Sequence, residues 1–272
     1  MKHKTSLKLY PNQVAGHRNT VYIMEGTDQI YKLATETEHI FYIAAQKVPF
    51  LLDIIPKFYG PIIWTDEKPQ IILQDVVHGY NKPCMIDIKL GKLLYDALHA
   101  SPEKQQRMEL LSSTTTTGTL GFRISGMQHY TKDGICITQS DKLYWRGLNA
   151  VDVPQIFHLF FEGFVALNLV IAELERIQEV IQNTCRLIGA SLLICHEAVK
   201  TSVRWNVKLI DFAHSTVVQD AQEPGVMDGI TTLINILKTK CGYPSCMFVI
   251  YCTFGPSPPG INMAIFDPLS NI

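Results

Sequence analysis

The sequence lacks an excess of charge of either sign, because 24 Lys and Arg oppose 25 Asp and Glu among its 272 residues. With 47% hydrophobic and 18% charged residues, this balance excludes a disordered, collagen-like or nucleic-acid-coating chain. A long apolar run is lacking too. The most apolar stretch, 156–172, is interrupted by His158, Glu162 and Asn168, whereas a bilayer span needs about 20 apolar residues. We therefore expect a globular chain with no nucleic-acid partner and no membrane insertion.

Cysteine is sparse, with seven scattered residues, and the first six residues lead into no apolar run of the kind that a signal peptide contains. An odd number of cysteines without a secretory signal favours a reducing, intracellular setting. We expect the cytoplasm, leave a nuclear location open, and expect a monomer.

Several catalytic signatures are also missing. The sequence has no Gly-x-x-x-x-Gly-Lys-[Ser/Thr] loop, no Gly-x-Gly-x-x-Gly and no His-Arg-Asp. These absences exclude a P-loop enzyme and an ordinary protein kinase.

What is present begins with a small, mainly β region, residues 1–75. Two β-branched and aromatic runs, 20–24 and 29–33, flank a Gly- and Asp-containing turn and predict a hairpin. The spacing over 35–46 predicts a helix with Ile40, Ile43 and Ala44 on one face. Two further strands are predicted after the prolines at 56 and 61, at 62–65 and 70–77.

The remainder, 76–272, has longer helical patterns. Thr114–Thr117 predicts a mobile connection, and apolar residues at helical spacing run from Leu167 to Ile181. The other predicted elements are a helix over about 96–111, strands at 120–124, 135–138, 191–196 and 207–211, and a helix over 229–238. No motif is recognised after Gly242.

Charged residues stand inside or at the end of two apolar strands. Asp87 and Lys89 are two residues apart and so share a strand face, where they could form a site or simply a solvated ion pair. Asp211 ends the second strand. A strand lysine, Lys32, precedes Glu38 of a helix by six residues, as in kinase-like lobes that present a cation to nucleotide phosphates and hold Mg²⁺ with an Asp.

One motif is specific. Pro83–Gly91 reads Pro-x-x-x-Asp-x-Lys-x-Gly, the signature of the inositol polyphosphate kinases, and the chain resembles that family over about 10–240. Further matches follow in order at 13–17, 32–42, 121–128, 141–146, 191–193 and 210–215. The resemblance implies an α+β, two-lobed protein-kinase-like (ATP-grasp-like) fold. A small α+β N-lobe would span 1–75 and a larger α/β C-lobe 76–272, with an inositol phosphate-binding helical segment at about 92–115.

The resemblance also implies roles for individual residues. The backbone of Gln74 and Val76 would contact adenine, Lys32 the phosphates, and Asp211 the magnesium, with Ser191 near the phosphates. Asp87 would lie at the ribose or at the reacting region, as a base or as a positioning group.

On the substrate side, Lys89 would meet both the inositol phosphate and the transferred phosphoryl group, and His214 would contact the substrate. Other cations are candidates for the substrate phosphates: Lys92, Lys104, Arg107, Lys142 and Arg146, of which the last two match a family pattern.

The implied function is ATP- and magnesium-dependent phosphorylation of an inositol polyphosphate, from a trisphosphate to the hexakisphosphate. The acceptor would be a hydroxyl or an existing phosphate. A non-catalytic inositol phosphate sensor or scaffold with the same fold is the alternative, and a protein kinase is disfavoured.

Overall fold

Two five-stranded antiparallel sheets organise the chain. The computed structural model describes residues 7–17, 19–60, 63–65, 68–131, 133–198, 203–218 and 224–241. The tail after Gly242 lies outside them. The N-terminal sheet has the spatial order β1-β2-β3-β5-β4. Its strands are β1 (Leu7–Leu9), β2 (Val21–Met24), β3 (Gln29–Leu33), β4 (Ile63–Thr65) and β5 (Lys68–Gln74).

Two helices, α1 (Glu36–Ala45) and α2 (Pro49–Ile54), lie between β3 and β4. The Thr35 side chain caps α1 by accepting a hydrogen bond from the Glu38 N–H at 3.1 Å. The helix buries Phe41 and Tyr42, while the face of Ile40 and Ile43 is exposed. The aromatic side chains form the packed face because they bury the larger apolar area.

The C-terminal sheet follows the order β11-β10-β6-β7-β8. Its strands, in chain order, are β6 (Pro83–Leu90), β7 (Phe122–Tyr130), β8 (Cys136–Gln139), β10 (Ser191–Glu197) and β11 (Trp205–Ile210). A separate pair is formed by β9 (Cys185–Arg186) and β12 (Thr216–Val217). Strand β6 is central, so its polar residues are held on both sides by neighbouring strands.

Helices connect and cover this second sheet. They are α3 (Pro102–Ser113), α4 (Thr116–Leu120), α5 (Lys142–Gly147), α6 (Val153–Phe160), α7 (Leu167–Gln182) and α8 (Pro224–Ile236), with a π-helical turn at Leu237–Cys241. Ser101 and Asp141 cap α3 and α5. The predicted start near 96 is six residues early, because Ser101-Pro102 supplies the cap and the first-turn proline.

The predicted mobility of Thr114–Thr117 is wrong. Thr115, Thr116 and Thr117 are buried, and the Thr115 side chain caps α4. The hydroxyl groups satisfy the helix ends, so polar residues pack there without loss of hydrogen bonds.

Helix α7 packs into the larger hydrophobic core, which extends from α1 to α8. All of its periodic apolar residues are buried, as the spacing predicts: Leu167, Val170, Ile171, Leu174, Ile177 and Ile181. Among the described helices, none has the length and unbroken apolarity that crossing a bilayer would take. The mixed α and β composition is as predicted, whereas the lobe boundary at 75/76 stays a prediction.

Candidate active site

A cavity of about 1070 Å³ lies between the two sheets, a volume at the upper end of ordinary ligand sites. Strands β3 and β6, helices α1, α3 and α5, and residues 210–214 contribute to its wall. The segment Tyr10–His17, here called the strap, completes the wall. Elements distant in sequence therefore surround one space.

Lys32, Glu38 and Asp211 meet at one end of the cavity. The Lys32 Nζ donates to Glu38 Oε1 at 2.7 Å and to Asp211 Oδ1 at 2.6 Å. Glu38 Oε1 also accepts from the Phe212 N–H at 3.3 Å. Asp211 has φ +66°, a left-handed conformation that non-glycine residues adopt mainly where the surrounding structure enforces it. Strand β3, helix α1 and the end of β11 thus hold this cluster together.

Opposite charges govern the ionisation of this cluster. Burial alone would raise the pKa of Asp211, but Lys32 and Lys89 outweigh it and hold that pKa well below its usual range. Burial likewise opposes the charge on Lys32, yet Asp211 and Glu38 raise its pKa. Asp211 is therefore a carboxylate, and Lys32 an ammonium, at every working pH.

Asp87 and Lys89 lie on one face of β6, as predicted. The Lys89 Nζ donates to Asp211 Oδ2 at 2.7 Å and to the Gly189 carbonyl at 3.0 Å. Asp87 and Lys89 therefore do not form a solvated ion pair with each other, because the Lys89 ammonium pairs with Asp211 instead.

Asp87 is buried, and its Oδ1 has no hydrogen-bond partner among the described residues. Burial raises the pKa of Asp87 to about 6, with a further rise from Asp211 and a lowering from Lys89 and the Ser191 hydroxyl. This is the perturbation expected of a functional carboxyl in a cleft.

Ser191 lies behind the cavity rather than in its wall. It stands opposite Lys89 in the β10–β6 ladder, is fully buried, and its hydroxyl has no hydrogen-bond partner among the described residues. Ser191 is therefore beside Asp87 and not in the cavity wall, and its predicted position near the phosphates stays a prediction.

The segment Gln74–Val76 borders the cavity. The family resemblance implies that the backbone of this segment contacts adenine. Asp75 fixes this segment, because its Oδ1 accepts from the Tyr10 hydroxyl at 2.7 Å and from the Val77 N–H at 3.1 Å. The strap is thereby tied to the connection between the sheets.

The strap also packs on the C-terminal sheet. Val14 is buried in a small core with Val77, Met85 and Cys195. A Cβ at Gly126 of β7 would lie 1.9 Å from the Val14 carbonyl oxygen, so only glycine permits this approach.

Basic side chains form part of the cavity wall. The predicted residues that line it are Lys104 and Arg107 of α3, Lys142 and Arg146 of α5, and His214. Burial and Lys104 lower the pKa of His214, which favours a neutral imidazole.

Lys92 is the exception, because it is exposed and does not line the cavity. It follows Gly91, where the positive φ of +83° turns the chain away from β6. The Ser112 hydroxyl donates to its carbonyl at 2.8 Å, so Lys92 has a place in the fold but not in this wall.

Arg123 lines the wall without having been predicted. It stands opposite Lys89 on β7, and burial and the nearby Arg146 lower its pKa while Asp87 raises it. The signal in the sequence was its position inside the matched segment 121–128, to which no role had been given.

Comparisons with known proteins decide the family. A family model described as inositol polyphosphate kinase matches residues 70–238. The chain belongs to the inositol polyphosphate kinase family. The predicted family is therefore confirmed.

Individual relatives of this family agree. The inositol polyphosphate multikinase of Schizosaccharomyces pombe is 26% identical over 264 residues, or 84% of this chain and 96% of the relative. Inositol-trisphosphate 3-kinase A of Mus musculus is 25% identical over 279 residues, covering 84% of this chain and 58% of the relative.

Solved structures of the family confirm the protein-kinase-like fold. The Saccharomyces cerevisiae inositol phosphate multikinase, in complex with ADP and Mn²⁺, gives a TM-score of 0.69 at 28% identity, covering 77% of this chain and 98% of that one.

The cluster fits a metal that is brought by a nucleotide. Within the described residues, no group of three His, Cys, Asp or Glu side chains could hold a metal ion by itself. Magnesium is usually bound by one or two carboxylates together with substrate phosphates. Asp211, a carboxylate at the cavity end, meets that requirement.

Proposed function

We propose that this chain is a kinase that transfers the γ-phosphate of ATP to an inositol polyphosphate. The observation that carries the proposal is the convergence of Lys32, Asp87, Lys89 and Asp211 in a cavity whose wall also contains a set of lysine and arginine side chains from α3, α5 and β7. Residues separated by up to 179 positions in sequence meet there. Family membership and the ADP and Mn²⁺ of the S. cerevisiae relative support ATP with a divalent metal.

The nucleotide would lie along the strap. Gln74 and Val76 would meet adenine, and the Lys32 ammonium, oriented by Glu38, would face the phosphates. Asp211 would hold the magnesium, which neutralises charge on the transferring phosphoryl group. Lys32 and Lys89 each hold one Asp211 oxygen, so these oxygens are already directed toward the cavity end.

The acceptor would lie against Lys104, Arg107, Arg123, Lys142 and Arg146. Each substrate phosphate carries about −1.5 to −2 charge near neutral pH, so one cation per phosphate neutralises only part of it. A cluster of five suits a substrate with several phosphates. We propose substrates from inositol trisphosphate to the hexakisphosphate, with an ester or a pyrophosphate as the product.

Transfer would depend on positioning and charge neutralisation rather than on covalent catalysis. Lys89 would follow the phosphoryl group as charge develops on its oxygens. With a pKa of about 6, Asp87 is ionised at neutral pH, where it could accept the acceptor's proton or hold the acceptor in place.

A non-catalytic sensor is not favoured. Both acids and both lysines of the site are present, Lys32 and Lys89 both pair with Asp211, and the chain matches kinases along most of its length. We further propose a monomeric protein in the cytoplasm, with nuclear entry left open. The described cysteines Cys84, Cys136, Cys185 and Cys195 are free, which agrees with a reducing compartment.

The test is to incubate the purified protein with ATP, Mg²⁺ and single inositol phosphates from tris- to hexakisphosphate, and to resolve the products by charge. Asp211→Asn should abolish turnover, and Lys89→Ala should lose activity on every substrate. Glu25→Gln is the matched control, because Glu25 is exposed and pairs only with Lys8 among the contacts seen. Binding of inositol phosphates without any ATP consumption by the wild type would favour the sensor instead.

A further inference from the structure

A buried tyrosine hydroxyl lacks a hydrogen-bond partner among the residues that the structure describes. Tyr42 is fully buried and lines the cavity, yet its hydroxyl oxygen has no hydrogen-bond partner within the described part of the chain. Leaving a buried hydroxyl unpaired costs about 1–3 kcal/mol. A native protein that retains such a group calls for an explanation.

The ring of Tyr42 is fixed by its neighbours. It stacks on Phe58, with centroids 5.5 Å apart, and meets Phe212 edge to face at 5.4 Å. Phe212 is itself stacked on Phe41 at 3.9 Å. Because aromatic pairs hold preferred geometries, the ring cannot turn its hydroxyl away to another partner.

Tyr42 lines the same cavity as Lys32, Glu38 and Asp211. Burial and Glu38 raise the pKa of Tyr42, Lys32 lowers it, and Asp211 raises it further. The hydroxyl therefore keeps its proton and is a donor at every working pH. Glu38 is one helical turn before Tyr42, so the two side chains share a face of α1.

Of these neighbours, Glu38 is the best placed to accept a hydrogen bond from the Tyr42 hydroxyl. Lys32 is a donor with no acceptor atom. Each Asp211 oxygen accepts a hydrogen bond from a lysine, and under the proposed function the remaining lone pairs of Asp211 bind the metal. Glu38 Oε1 accepts hydrogen bonds from both Lys32 and the Phe212 N–H. It loses the hydrogen bond from Lys32 if Lys32 turns toward nucleotide phosphates.

We propose that Tyr42 is a positioning residue whose hydroxyl donates to the Glu38 carboxylate when Lys32 engages the nucleotide. This inference rests on the proposed function. The hydrogen bond keeps Glu38 in place, so that Glu38 still holds the Phe212 backbone and directs Lys32 to the phosphates. Tyr42 touches no reacting atom and acts through Glu38.

The test compares Tyr42→Phe with the wild type in nucleotide binding, kinetics and stability. Calorimetric affinity for ADP with Mg²⁺ should fall about tenfold, the loss expected for a hydrogen bond to a charged group. The KM for ATP should rise similarly, while the KM for the inositol phosphate stays unchanged. The melting temperature without nucleotide should be equal or higher, because the variant removes an unpaired hydroxyl.

Tyr31→Phe is the matched control. Tyr31 is also buried in the N-terminal sheet, but it lies outside the cavity wall and its hydroxyl contacts Gln29 Oε1 at 3.4 Å. Its ADP affinity should equal that of the wild type. A loss as large as that of Tyr42→Phe would overturn the assignment.

A double-mutant cycle tests whether Tyr42 acts through Glu38. If it does, Glu38→Gln with Tyr42→Phe should bind ADP about as well as Glu38→Gln alone, whereas independent roles give additive losses. Glu38→Asp replaces Glu38→Gln if the latter does not fold. Additive losses, wild-type affinity of Tyr42→Phe, or a lowered melting temperature would each contradict the proposal while leaving the kinase function standing. A wild type that binds no ADP would overturn both.

Discussion

Asp87→Asn replaces a buried carboxyl, whose pKa is raised in the folded protein, with a group that does not titrate. In the wild type, burial raises the pKa of Asp87 from 3.8 to about 6. A shift of about two pKa units corresponds to about 3 kcal/mol at 1.36 kcal/mol per unit. Asparagine has nearly the same shape and cannot ionise, so this variant removes the titration while it keeps the packing.

The sign of the effect follows from proton binding. The folded protein holds the Asp87 proton more tightly than the unfolded chain does, so Asp87 contributes stability that is fully present below its unfolded pKa. That stability is lost as the pH rises through about 6. With these two pKa values, about 1.4 kcal/mol of the loss falls between pH 5 and pH 8. Asp211 adds nothing in this window, because its pKa is held well below it.

Urea unfolding of both proteins at pH 5 and pH 8 measures this contribution. The free energy of unfolding of Asp87→Asn, relative to wild type, should increase by about 1.4 kcal/mol from pH 5 to pH 8. Any effect of the asparagine amide on the free energy of unfolding that is the same at both pH values cancels in this comparison. The titration of His214 cancels too, because both proteins contain His214. If the difference in free energy of unfolding does not change with pH, the pKa of Asp87 is not raised in the folded protein.

Ser191→Ala tests whether the Ser191 hydroxyl offsets part of the effect of burial on the pKa of Asp87. The Ser191 hydroxyl lowers the pKa of Asp87, so its removal should move the stability transition of Asp87 to higher pH. A shift to lower pH would show that Ser191 does not stabilise the ionised form.

Three further changes test other parts of the site. Tyr10→Phe removes the hydroxyl that donates a hydrogen bond to Asp75. The free energy of unfolding in urea should fall by about 1.5–3 kcal/mol, and the KM for ATP should rise. An unchanged KM would show that the strap does not contribute to nucleotide binding. Gly126→Ala places a Cβ 1.9 Å from a strap carbonyl oxygen, so stability should fall by at least about 1–3 kcal/mol, and wild-type stability would show that the strap can move aside. Lys104→Ala should raise the KM for the inositol phosphate about tenfold while Lys92→Ala changes it less than twofold, and equal effects would contradict the placement of these two lysines.

Local patterns in the sequence were sufficient for most elements. The hairpin of β2 and β3, helix α1 and the buried stripe of α7 follow from residue periodicity and caps, which act over a few neighbouring residues. The start of α3 and the burial of Thr115–Thr117 did not follow. Both depend on side-chain hydrogen bonds to backbone groups, which composition alone does not place.

The site was predictable in its residue types but not in its contacts. Lys32 and Asp211 were singled out from strand ends, yet their ion pair joins positions 179 residues apart and depends on how the two sheets meet. Arg123 was not predicted, because its place in the cavity wall depends on its pairing opposite Lys89 between β6 and β7. Lys92 was included because it neighbours the β6 motif in sequence, although Gly91 turns the chain away.

A crystal structure of the protein with ADP and Mg²⁺ would show whether the nucleotide binds at the cluster of Lys32 and Asp211. We expect the phosphates within hydrogen-bond distance of the Lys32 ammonium, the metal on Asp211, and Asp87 and Lys89 beside the terminal phosphate. Nucleotide density away from the side chains at positions 32, 87 and 211 would contradict this placement.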